Sequence, residues 1–186
     1  MVPGLEKILL KVQKPGRYVG GELNCVIKDK AAIDVRFAFC FPDIYEVGMS
    51  HLGMKILYSC LNRMEGVWCE RVFAPWTDME ALMREKDIPL YALESGDPVK
   101  DFDIIGFTLQ YELSYSNVLN MLDLAGVPLL ASERQGLSQL VVAGGPCACN
   151  PEPLADFVDL FFIGEGEEMD CELVELYRAH KQKGSS

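Results

Sequence analysis

Histidine is nearly missing from this sequence, with two in 186 residues, His51 and His180. With so few imidazoles no Ser-His-Asp or Cys-His arrangement can be assembled, which removes triad hydrolases from consideration. Cysteine at metal spacing is also missing. Of the seven cysteines only Cys147 and Cys149 stand close together, as C-x-C, and no C-x-x-C or H-x-x-x-H accompanies them. A structural metal site needs four converging ligands, so none is expected. An odd, irregularly spaced set of cysteines argues for reduced thiols rather than a disulfide framework. Basic residues are outnumbered, 17 against 28 acidic ones, for a net charge of −11. Apart from a short C-terminal cluster they are scattered, which excludes direct nucleic-acid binding. No apolar run approaches the ~18 residues of a membrane span, and Met1 to Val12 has no signal-peptide pattern. A soluble cytoplasmic protein with no membrane partner is the expectation. Neither G-x-G-x-x-G nor G-x-x-x-x-G-K-[ST] occurs, so the common nucleotide-binding loops are missing too.

What the chain does have is apolar bulk: 49% hydrophobic residues and 10% aromatics. A chain of this length buries roughly 70% of its unfolded surface, which suits one domain. Ile33 to Phe41, Trp68 to Val72, Asp103 to Leu109, Leu140 to Ala143 and Leu160 to Ile163 read as short strands rich in β-branched and aromatic residues. Helices are expected between them. In Ser50 to Met64 the residues Leu52, Ile56, Leu57, Cys60, Leu61 and Met64 share one face. Thr77 and Glu80 have the spacing of a capping box opening a helix with Leu82 and Met83 inward. Ser116 to Ala125 is stopped by Gly126 and Pro128. Glu167 to His180 places Met169, Leu173, Leu176 and Tyr177 inward, with its acids in the first turns as the helix dipole favours.

Strands apolar on both faces and separated by helices imply a parallel sheet covered on both sides. The expected fold is therefore a doubly wound, flavodoxin-like α/β domain with a mostly parallel five-stranded sheet. Residues 31–180 form it, 1–30 are an N-terminal extension, and 181–186 start a linker. In such a fold ligands sit beyond the C-terminal strand ends, which directs attention to loops 42–50, 75–77, 108–114, 144–153 and 164–168.

Those loops carry a resemblance. Asp43, Tyr45 and Gly48 stand where cobalamin-binding domains have D-x-H-x-x-G, with tyrosine in the histidine position. Thr108-Leu109 resembles their S-x-L element, Gly144-Gly145 their G-G, and Gly164-Glu165-Gly166-Glu167 the corresponding turn of cobalamin-domain radical SAM proteins. The spans FPDIYEVGMSHLGMKIL, ERVFAPWTDME, GFTLQYELSYSNVLNML and AGGPCACNPEPLADF are similar to the N-terminal unit of a family of large, cytoplasmic radical SAM proteins.

The resemblance implies an accessory domain that presents a corrin, or a docking surface, to a downstream radical SAM domain of the same chain. A 4Fe-4S cluster and S-adenosylmethionine are expected only in that domain, because the C-x-x-x-C-x-x-C motif that would hold the cluster is missing here. Cobalamin is a flat macrocycle with a nucleotide tail, so its host needs a broad strand-end platform and a slot. Gly144 and Gly145, followed by Pro146, would let backbone approach the tail, and Thr108 would offer it a hydroxyl. Tyr45 cannot replace imidazole beneath cobalt, because a phenol is a poor neutral donor. His51 reads as a helix-start residue. Gln110, Tyr111 and Glu112, with Trp76 on the loop before, lie where a ligand or neighbouring domain would meet the sheet. Gly164, Glu165 and Gly166 complete the candidate site. A degenerate scaffold or substrate-docking module is the competing expectation, favoured by Tyr45. A flavodoxin-like FMN carrier is weaker, since the first loop lacks the hydroxyl-rich run that phosphate requires.

Overall fold

The computed structural model describes residues 4–136 and 138–184. Five strands, β1 (Val35–Phe41), β2 (Val67–Phe73), β3 (Ile104–Thr108), β4 (Leu140–Gly144) and β5 (Leu160–Phe161), form one sheet. Every pairing is parallel and the order is β2-β1-β3-β4-β5. This is the flavodoxin-like order, with the topological switch between β1 and β3. The helices are α1 (Leu5–Leu9), α2 (Tyr45–Ser50), α3 (Leu52–Arg63), α4 (Thr77–Glu85), α5 (Tyr115–Ala125) and α6 (Gly166–Gln182). None among the described residues is long and apolar enough to cross a membrane.

The two-residue period of a strand divides β1 between two cores. Val35, Phe37, Phe39 and Phe41 face a layer built with Met54, Tyr58 and Leu61 of α3 and Val174 and Tyr177 of α6. Ala38 and Cys40 face the opposite layer, with Met79 and Met83 of α4 and Val118, Met121 and Leu122 of α5. Leu5 and Ile8 of α1 join this second layer, so the N-terminal segment is packed into the domain.

Local chemistry fixes the element ends. Gly126, at φ 70°, closes α5 in the left-handed region, where glycine has no Cβ to clash. The expected capping box at Thr77 does not form. Trp76 is the N-cap of α4, and no side chain caps it. The Asp78 carboxylate instead accepts from the Met79 and Gln13 N–H groups. The buried stripes of two helices also differ from expectation. On α3, Met54, Tyr58 and Leu61 are buried while Leu52 and Ile56 are exposed; on α6, Asp170, Val174 and Tyr177 are buried while Leu176 is exposed. Sequence β5 is shorter than Leu160 to Ile163, and Ile163 is exposed.

The outer strand β2 is buried along its whole length. Its free edge is occupied by side chains and a loop. Asn62 both donates to the Cys69 carbonyl and accepts from the Cys69 N–H. The Glu94 carboxylate accepts from the Arg71 N–H, and the Arg71 carbonyl receives the Leu93 N–H. Arg71 is held by Glu94 at 2.6 Å and by Glu22 at 3.1 Å. Such satisfaction of an edge blocks further strand pairing.

Candidate functional site

Where β1, β3 and β4 end, a cleft of about 250 Å³ runs down between the sheet and helices α3 and α6. Phe37, Phe39 and Val142 form its sheet wall, Leu57 its α3 wall, and Gly144, Gly145, Gly164 and Gly166 its strand-end rim. Its depth depends on Gly106 in the middle of β3. A Cβ there would stand 2.5 Å from Cζ of Phe37, so the wall can take its present form only around a residue without a side chain. Gly145 is constrained differently. At φ 100° its Cβ would meet the Leu109 carbonyl oxygen at 2.8 Å, so the chain can turn out of β4 here only as glycine. Gly166 opens α6 against α3, and a Cβ on it would press both Leu57 methyl groups at 3.2 Å.

At the mouth lies a directed chain of hydrogen bonds. His51 is the N-cap of α3, its Nδ1 accepting from the Met54 N–H at 3.1 Å. That leaves the proton on Nε2, which faces Gln110 Oε1 at 3.1 Å. The Gln110 amide then donates to Thr108 Oγ1 at 2.6 Å. Because Thr108 accepts from Gln110, its own hydroxyl proton remains available to a group in the cleft. The amide orientation follows from this network.

Eight of the expected residues, Thr108, Gln110, Gly144, Gly145, Pro146, Gly164, Glu165 and Gly166, are brought together around this cleft. The other four are not. Tyr45 turns away, its ring edge-on to Phe73 at 5.5 Å, in a separate small cavity with Arg17 and Tyr18. Burial and the neighbouring Glu22 carboxylate push its phenol pKa upward. Gly48 is packed inside α2, where a Cβ would collide with the Phe73 ring at 2.3 Å. Asp43 accepts from the Ile44 N–H at 2.7 Å and from the Tyr111 hydroxyl. That bond to Asp43, with some burial, pushes the Tyr111 phenol up to about 12. Trp76 lies on the loop after β2 under the Arg17 guanidinium, 5.7 Å above its ring, and Glu112 opens an exposed turn after β3.

His51 and Asp170 are among the lining residues that were not expected ligand contacts. His51 lines the mouth, but as a residue whose two ring nitrogens are both engaged. Asp170 lines the interior and is 7% exposed. Burial pushes its carboxyl up to about 7, and the nearby Glu167 carboxylate adds to the shift. The signal for it was present in the sequence, since Asp170, Val174 and Tyr177 follow the i, i+4, i+7 rule of a buried stripe. Cys147 is half-buried and Cys149 exposed on the turn after Gly145; neither lines the cleft. Among the described residues no three of His, Cys, Asp and Glu converge so as to hold a metal ion.

The site can enclose a slim, largely apolar group and meet it with a hydroxyl, an amide and a buried carboxyl. Small-molecule pockets usually span ~300–1,000 Å³, so this one admits part of a larger ligand rather than a whole macrocycle.

The chain is 30% identical over 149 residues, 79% of its length, to an uncharacterized protein of Methanocaldococcus jannaschii, and spans 28% of that relative. No solved structure matches it. The family model for the N-terminal part of radical SAM proteins matches residues 53–186. The chain belongs to the family of radical SAM protein N-terminal domains.

Proposed function

We propose that this chain is an accessory domain that receives the tail of a cobalamin in the strand-end cleft and turns the corrin toward a radical SAM domain of the same protein. The observation that carries this reading is an open, glycine-rimmed cleft. Bulky side chains from the strand-end loops would have closed a degenerate version, but Tyr45, Tyr111 and Trp76 all lie outside it. The residues fit the tail on two counts. Gly106 admits the Phe37 ring that forms the apolar wall a flat group could meet, and the Thr108 hydroxyl has a proton free for a polar tail atom.

They offer cobalt no side-chain nitrogen. Tyr45 faces Phe73, and His51 commits one nitrogen to Met54 and the other to Gln110. When bound, the corrin would supply methyl-carrier or one-electron chemistry. This chain's own part would be to hold the tail and exclude water from the cleft, with no side-chain imidazole free for the metal.

The docking part of the proposal rests on the rim. Leu52, Leu113 and Ile163 are exposed on segments that follow β1, β3 and β5, so each of these segments presents an apolar side chain to a neighbouring domain. Titration of the purified chain with hydroxocobalamin tests the corrin reading, with retained visible absorbance after desalting as the expected result. Complete loss of absorbance on desalting would overturn it and leave a docking module.

A further inference from the structure

Three cations gather around α3 without a carboxylate to pair with. Lys55 and Arg63 are exposed on α3, and among the described residues their side chains make no ion pair or hydrogen bond. Lys28, on the extended segment before β1, spends its ammonium on the carbonyls of Asn62, Met64 and Val67. In a chain of net charge −11, cations left together without acids need a reason.

They border a groove. A cavity of about 520 Å³ is lined by Leu23, Asn24 and Val26, by the end of α2, by α3 and by Arg71 of β2, and it shares no lining residue with the strand-end cleft. Its outer strap is fixed at Val26, whose N–H donates to the Tyr58 hydroxyl at 2.7 Å and whose carbonyl receives Trp68 Nε1 at 2.9 Å. The groove is therefore built into the fold.

Along the α3 wall, Lys55, Ser59 and Arg63 follow one another at intervals of four residues. The two charges thus flank the Ser59 hydroxyl, each about 6 Å of helix rise away, and both side chains are long enough to reach one group held over it. Among the described residues no Asp or Glu lines the groove. Arg71 does, but Glu22 and Glu94 already hold its guanidinium, which leaves Lys55 and Arg63 as the charges open to a ligand. Lys28 contributes indirectly. By covering carbonyls at the end of α3 it offsets the negative end of the helix dipole, which would otherwise disfavour an anion.

Two unopposed positive charges match a dianion. A phosphate monoester has a charge of about −1.5 to −2 near pH 7 and three acceptor oxygens, enough for Lys55, Arg63 and Ser59 together. A single carboxylate would leave one cation unmatched. Leu23, Met49 and Met54 add apolar lining that suits a carbon body on the phosphate, and the cavity lies within the ~300–1,000 Å³ usual for small-molecule sites.

We propose that this groove binds a small organic phosphate, with Lys55, Arg63 and the Ser59 hydroxyl holding the phosphoryl group and Met49 and Met54 meeting the carbon body. The site stands apart from the corrin reading, and neither requires the other.

The probe is phenyl phosphate, titrated into the isotope-labelled chain and followed by NMR, with benzoate and inorganic phosphate as comparisons. The expected result is saturable shifts at the amides of Asn24, Ser59 and Arg63, with Gly106 and Gly144 of the strand-end cleft unmoved. A double variant, Lys55→Gln with Arg63→Gln, changes two exposed positions and should weaken binding at least about tenfold. Lys100→Gln removes an exposed lysine outside the groove and should leave binding unchanged. Equal binding by the double variant, or an equal loss in Lys100→Gln, overturns the assignment. Benzoate bound as tightly as phenyl phosphate overturns the choice of phosphate, and inorganic phosphate bound as tightly overturns the carbon body. No saturable shift with any of the three overturns the site.

Discussion

His51 and Gln110 meet across the mouth of the cleft, Nε2 facing Oε1 at 3.1 Å, and each has its other end engaged, on Met54 N–H and Thr108 Oγ1 respectively. One imidazole thus starts helix α3 and orients the amide that in turn sets the direction of the Thr108 hydroxyl. Local folding and site geometry are joined in one side chain.

Replacing His51 by alanine should remove the α3 cap and cost about 1 kcal/mol, in the range found for lost N-caps. His51→Asn keeps a capping oxygen and should recover most of it. Urea unfolding of the two variants measures the difference.

Tyr45→His should not create a cobalt ligand, because position 45 faces Phe73 rather than the cleft. Electron paramagnetic resonance of bound cob(II)alamin should show the same absence of protein nitrogen coupling in the parent and the variant. New coupling in the variant would mean that α2 can rotate toward the corrin.

Gly106→Ala places a methyl group against Phe37, where the available separation is 2.5 Å. Overpacking of this kind costs about 1–3 kcal/mol. The displaced ring should also narrow the cleft, so thermal unfolding and hydroxocobalamin retention should both decline.

Asp170 gives the domain a pH dependence of definite sign. Its folded-state pKa of about 7 lies above that of an unfolded aspartate, so between these values the native state binds more protons. Stability from this group is therefore highest in acid and falls as pH rises toward 7, by up to about 4 kcal/mol. Glu46, held near 2 chiefly by its bond with Arg17, acts in the opposite direction as pH falls. Subtracting the pH–stability profile of Asp170→Asn from that of the parent isolates the Asp170 contribution.

Glu94→Ala should be among the most damaging substitutions outside the cleft. It strips a buried partner from Arg71, whose side chain is 9% exposed, and leaves Glu22 at 3.1 Å as its remaining carboxylate. Breaking a buried pair on one side costs about 3–5 kcal/mol. Urea unfolding of Glu94→Ala against the parent gives the value.

The sheet was legible because each strand is an apolar run between helix-forming segments, and parallel strands covered on both faces need no alternation. The rim of the cleft was legible for a related reason, since Gly144-Gly145 and Gly164-Glu165-Gly166 are breaks where the chain leaves a strand. What escaped were choices made by tertiary partners. Thr77 has the spacing of a cap, but the entry to α4 is set by the docking of the N-terminal segment, with Gln13 on Asp78 and Tyr18 on the Trp76 N–H. Tyr45 occupies a motif position, yet its direction depends on Phe73 and on the collision that Gly48 avoids. Asp170 resembled one more acid at a helix start, although with Val174 and Tyr177 it holds the spacing of a buried stripe.

The closed flank of β2 has a consequence for how larger assemblies can form. With Asn62, Leu93 and Glu94 already occupying the backbone of Cys69 and Arg71, a foreign polypeptide finds no ladder to extend there. The opposite flank offers only the two residues of β5. Growth of the molecule by shared β-structure is thus denied on one side and minimal on the other, and neighbours must be recruited through side-chain surfaces.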